Sequence, residues 1–147
     1  MSGNDKLTDA EVRALVKDWY LKLDVHAPEV ELLPMLLDNG LEMTFPEATL
    51  HGWAQFEGWY QTVARIFFDE VHELKEVKVI MAGDMAKVDV IVNWQARRWK
   101  PPAAKSEWLG FDAIQYWEVK RSPLTGKAVI SNYVVKELRP MKGSAAL

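Results

Sequence analysis

The chain has 147 residues, 49% of them apolar and 27% charged, with a formal net charge of −3 from 18 Lys and Arg against 21 Asp and Glu. That length supports one domain burying roughly 68–70% of its unfolded surface, and the composition excludes a disordered or collagen-like chain. The acidic balance argues against general attraction to nucleic acid or anionic lipid, and the absence of cysteine removes thiol nucleophiles, disulfides and thiolate metal ligands together.

Thr8-Asp9-Ala10-Glu11 has the form of a capping box. Val12, Leu15, Val16, Trp19 and Leu23 then recur on one helical face, so a first helix runs to about Asp24 with Tyr20 at the flank of that face. Pro28 suits a first helical position and opens a short second helix through Val30, Leu32 and Leu33, which Pro34 loosens and Asn39-Gly40 ends. Leu41, Met43 and Phe45 alternate with Glu42 and Thr44 as in a half-buried strand, and Pro46 stops it. From Trp53, the positions of Phe56, Tyr60, Val63 and Phe67 return to helical spacing, giving a third helix to about Phe68. Everything beyond reads as strand: 71–81, 85–100, 107–121 and 127–138, joined by connections short enough to favour antiparallel neighbours.

In the second of these strands Ala86, Val88, Val90, Val92, Trp94 and Ala96 share one parity, which marks a buried face. The next two are apolar on both faces, because Ile114, Tyr116, Ile130 and Val134 lie opposite the inward parity. That outer face is expected to pair with a second copy of the chain. The pattern predicts an α+β architecture, three N-terminal helices on one face of a curved, mainly antiparallel sheet. A single domain is expected over residues 6–140, with 1–5 and 141–147 as loose tails. No apolar run approaches the ~18 residues of a membrane span, so a cytoplasmic protein without a membrane partner is expected.

The run Leu50-His51-Gly52-Trp53-Ala54-Gln55-Phe56-Glu57-Gly58-Trp59-Tyr60 resembles the ketosteroid isomerases and SnoaL-like polyketide cyclases of the nuclear-transport-factor-two-like superfamily. The likeness lies in the aliphatic-His-Gly entry, the Gln three residues after Gly52 and the aromatic-Tyr pair. It implies a cone-shaped, cystatin-like fold with the element order above, used by isomerases, dehydratases, cyclases, epoxide hydrolases and proteins without catalysis. It also implies a carboxylate base at the end of the first strand, where this chain has Phe45, or Thr44 under another gap placement; Glu47 is the nearest carboxylate. The oxyanion site of those enzymes pairs a first-helix Tyr with a strand acid. Trp19, or Tyr20 under a one-residue shift, and Gln115 stand at those places here, and the supporting third-helix Tyr is kept as Tyr60. The Asp-Arg-Asp set of limonene-epoxide-hydrolase-like enzymes has no counterpart, since Asp89 and Asp112 fall on the outward parity.

The expected ligand is a small, mostly apolar or aromatic molecule held without a cofactor. Tyr60 and Gln115 are candidate charge stabilisers and His72 or Glu47 candidate proton carriers, for an isomerisation, dehydration or cyclisation through an enolate-like species. Candidate ligand-binding residues are Trp19, Tyr20, Val90, Trp94, Arg98, Phe111, Trp117, Ser131 and Tyr133. Arg98 has the buried parity and is placed to reach over the pocket mouth toward a carboxylate or phenolate. His26, His51 and His72 lack metal-ligand spacing, and His51 is expected to bond backbone at the entrance of the third helix. Neither a Gly-x-Ser-x-Gly elbow nor a Gly-rich phosphate loop occurs. The competing expectation is a non-catalytic dimerising or ligand-carrying module whose cone is filled by its own aromatics.

Overall fold

The computed structural model describes residues 6–147; the expected loose tail at 1–5 lies outside the described residues. Helix α1 spans Asp9–Asp24 and begins with the expected capping box: the Thr8 hydroxyl accepts from the Glu11 N–H, and the Glu11 carboxylate accepts from the Thr8 N–H. Helix α2 is a single turn, Glu29–Leu32, followed by a 3₁₀ turn at Leu33–Met35, because Pro34 cannot continue an α-helical ladder. Strand β1 (Glu42–Thr44) is followed by β2 (Thr49–His51), then α3 (Gly52–Ile66). Four long strands complete the chain: β3 (Phe67–Ala82), β4 (Met85–Arg98), β5 (Glu107–Arg121) and β6 (Ala128–Pro140).

These strands form one sheet in the order β2-β1-β6-β5-β4-β3. The long strands run as an antiparallel meander, whereas β1 joins β6 in parallel, Met43 lying opposite Tyr133. Register irregularities between Phe68 and Val71, Leu74 and Glu76, Ile114 and Gln115, and Glu118 and Val119 bend the strands. The helices cover one face. On α1, Val12, Leu15, Val16, Trp19, Tyr20 and Leu23 are buried, and on α3 Phe56 and Tyr60. They meet Ala86, Val88, Val90 and Val92 of β4, whose alternation is as expected.

Two expectations for the later strands need correction. Ile130 belongs to the core rather than the outer face: the irregularity at Glu118/Val119 lets β6 turn it toward the helical side, where its carbonyl accepts from the Leu37 N–H. Residues 141–147 are not a loose tail. Met141 N–H donates to Gly110 O at 2.9 Å and Ala145 N–H to Trp108 O at 2.9 Å, so the segment folds back along β5. Gly110 makes room for it, since a Cβ there would lie 2.6 Å from the Trp108 ring and 2.8 Å from Met141 Sδ. Among the described residues no helix is long and apolar enough to cross a membrane.

Candidate functional site

The cone is not filled by its own side chains. A cavity of about 1380 Å³ lies between α1, α3 and the concave sheet face. Its apolar walls include Leu23, Leu50, Trp59, Val63, Val92, Ala113, Val135 and Leu138. Phe45, at the end of β1, stacks on Trp59 with centroids 4.1 Å apart and approaches Tyr133 at 5.5 Å. The position that the resemblance reserves for a carboxylate base is therefore part of an aromatic wall.

The inner end is polar. Gln115, on the inward parity of β5, accepts at Oε1 from the Tyr20 hydroxyl at 2.7 Å and from Trp117 Nε1 at 2.9 Å. An indole N–H only donates, so Trp117 fixes which end of the amide is oxygen. Tyr20 then spends its proton on Gln115, and Tyr133, 3.0 Å away, is the donor to the Tyr20 oxygen. Gln115 and Tyr133 both line the cavity, so this hydrogen-bonded group forms its inner polar end. Burial holds both tyrosine hydroxyls above their ordinary pKa, most strongly Tyr20, which also faces Tyr133.

His72 stands beside this group, stacked on Tyr20 with centroids 4.9 Å apart, and lines the cavity. Its Nδ1 lies 2.7 Å from Asp24 Oδ1, which also accepts the His72 backbone N–H at 2.8 Å. A carboxylate can only accept, so Nδ1 carries the proton and neutral His72 has a basic Nε2 on the ring edge away from Asp24. Asp24 is the last residue of α1, where the negative end of the helix dipole disfavours a carboxylate and favours a nearby imidazolium. A neighbouring carboxylate, Glu70, also lines the cavity, held by His26 and by Trp94 Nε1.

The other expected residues divide sharply. Tyr20, Tyr60, Trp94, Arg98, Gln115 and Tyr133 line the cavity, as do His72 and, in the turn before β2, Glu47. Tyr60 does not meet Gln115; its hydroxyl donates to the Ala27 carbonyl at 2.6 Å, and burial together with the charges of Glu70, Glu29 and Glu31 pushes its pKa up to about 12. Trp19 is buried on the core side of α1 and forms no cavity wall, so of the Trp19–Tyr20 alternatives it is Tyr20 that reaches the cavity. Val90 and Trp117 are sealed in the core, Phe111 is stacked behind Trp94 at 6.0 Å, and the Ser131 hydroxyl donates to the Glu118 carbonyl at 3.1 Å. None of these forms cavity wall. Arg98 reaches the mouth but is tied to Glu107 Oε2 at 2.9 Å and to the Ala146 carbonyl at 2.7 Å. The His51 imidazole is exposed; its backbone N–H, not its ring, bonds at the helix entrance, to Gln55 Oε1. Glu47 is exposed and accepts from Trp59 Nε1 at 3.5 Å. Asp24, His26 and Glu70 had no motif to announce them.

No family model matches the chain, and no curated protein matches it. Solved structures do. A nuclear transport factor 2 (NTF2-like) superfamily protein from Salmonella enterica subsp. enterica serovar Typhimurium str. LT2 superposes with a TM-score of 0.69 at 15% identity, covering 93% of this chain and 91% of that one. The chain has the nuclear-transport-factor-two-like fold. The same cone is shared with a hexachlorocyclohexane dehydrochlorinase, LinA-type3 from Novosphingobium barchaimii LL02, at TM-score 0.73 and 16% identity over 94% of this chain and 92% of that one. It is shared also with a protein provisionally named a scytalone dehydratase from Novosphingobium aromaticivorans DSM 12444, at TM-score 0.72 and 14% identity over 94% and 88%. Among the described residues, no group of three or more His, Cys, Asp or Glu is arranged to hold a metal ion.

Proposed function

We propose that the chain binds a small, mostly apolar molecule in the cone and removes a proton from one of its carbons, eliminating a leaving group. His72 is the base, Asp24 orients it and balances the imidazolium, and the Gln115 NH₂ holds an oxygen on which negative charge develops. The observation that carries this reading is the His72–Asp24 pair on the wall of an aromatic cavity, with hydrogen bonds of 2.7 and 2.8 Å to a single carboxylate oxygen. Two proteins of the same fold are named for eliminations, a dehydratase and a dehydrochlorinase, which supports the reaction class.

The proposal is tested with 5-nitrobenzisoxazole, an apolar aromatic ring that opens to a coloured phenolate when one C–H proton is removed. Wild-type protein turns it over; His72→Gln and Asp24→Asn lower kcat/KM by about 10²-fold or more. Binding of the compound, seen as a change in tryptophan fluorescence, without His72-dependent turnover would leave a carrier as the better description. We also propose that the chain is a homodimer. Ile91 faces Ile114 across the β4–β5 ladder and Tyr116 faces Val134 across β5–β6, so an apolar strip remains half-exposed on the outer sheet face.

A further inference from the structure

The cavity wall carries the carboxylate of a second His–carboxylate pair that the base does not use. Glu70 lines the cavity two residues before His72, its side chain 13% exposed. Its Oε2 meets His26 Nε2 in a short hydrogen bond, and its Oε1 accepts from Trp94 Nε1 at 3.0 Å. The same indole stacks toward His72, with centroids 6.5 Å apart and planes at 22°, so Trp94 spans both pairs. A proton lies on the His26–Glu70 contact whichever partner owns it, because a carboxylate and a bare imidazole nitrogen cannot otherwise bond.

The backbone is bent to make this pair. His26 follows α1 with φ +50°, its N–H bonded to Leu23 O at 3.1 Å and the Ala27 N–H to Lys22 O at 2.9 Å. That is a Schellman ending, in which glycine is the usual left-handed residue. Asp69, which shares with Glu70 the bulge between Phe68 and Val71, is left-handed as well, with φ +52°. Two non-glycine residues in this conformation, one carrying the imidazole and one adjoining the carboxylate, are strain retained at a site.

We propose, resting on the base assigned to His72, that Glu70 with His26 behind it is the acid of the same site and serves substrates whose leaving group is oxygen. His72 Nε2 takes the proton from carbon, the C–H electron pair becomes the new π bond, and the C–O bond breaks with its pair on oxygen. The proton passed from His26 through Glu70 neutralises that oxygen, so water or an alcohol departs. His26, 29% exposed, is reprotonated from solvent, and His72 returns its proton there. The substrate class is accordingly a hydroxyl or ether compound rather than a halide, which leaves without a proton.

The test compares benzisoxazole with 5-nitrobenzisoxazole, using the full chain. Both open by loss of one C–H proton, but the phenolate freed from the unsubstituted ring is the poorer leaving group and needs the acid. Glu70→Gln is expected to lower kcat/KM about tenfold or more for benzisoxazole and less than about twofold for the nitro compound. His26→Gly, in which the relaxed left-handed backbone offsets part of the loss of the Glu70 contact, is expected to repeat that pattern. Equal effects on the two probes in both variants, or no effect, overturns the acid role while leaving the base in place. Unchanged turnover in His72→Gln, or a wild-type rate no higher than that of buffer, overturns the base and this proposal with it.

Discussion

A tryptophan N–H points its hydrogen bond one way only, and at Trp117 this orders every proton at the inner end of the cavity. Tyr20 and Gln115 are consequently one unit: removing either leaves a buried partner unmet, at about 1–3 kcal/mol. A double-mutant cycle of Tyr20→Phe with Gln115→Leu, read by urea unfolding, is expected to show coupling of about 1 kcal/mol. The cycle of Tyr60→Phe with Gln115→Leu should be additive to within about 0.5 kcal/mol, since Tyr60 is bonded to Ala27 instead. Gln115 was legible as an inward amide because strand parity assigns faces. Its partner was not: Trp19 and Tyr20 are neighbours on one helix, and periodicity does not settle how that helix is rotated over the sheet. The two His–carboxylate pairs were harder still, each joining residues far apart in the chain. One signal was available: Asp24 is an acid at the C-terminal end of a helix, where the dipole is unfavourable and some compensating donor is needed.

Among the elements, α1 and β4 were readable nearly residue by residue, because a capping box and a strict two-residue alternation are strong local signals. Strand β2 was not, being three residues between Pro46 and a helix, too short for any period to register. The C-terminal segment was misread for a different reason. Its order depends on a gap in another element, the missing side chain of Gly110, which nothing in 141–147 reveals. Gly110→Ala is expected to push the segment off β5, costing about 1–3 kcal/mol as an overpacked site does. Hydrogen exchange should then show lost protection at Met141 and Ala145, whose N–H groups bond to Gly110 and Trp108.

For the whole molecule, the same sheet has one face closed by helices over a cavity and the other left partly apolar. Light scattering at micromolar concentration is expected to give twice the chain mass, and Ile114→Lys, which places a charge in the middle of the outer strip, is expected to halve it. A monomeric wild-type protein would remove the dimer from consideration without touching the cavity chemistry.

The parallel pairing of β1 against β6 bears on how the molecule comes into being. The meander from β3 to β6 is built of hairpins between sequence neighbours, whereas β1 must wait for a strand from the far end of the chain. Closing so long a loop is entropically slow, and its contacts are rewarded only once β6 is in place. Tyr133, which bounds the cavity, faces Met43 in that last ladder. An occupant of the cavity is therefore expected to lengthen the lifetime of the native state without hastening its formation, which stopped-flow unfolding and refolding with and without a bound apolar compound would show.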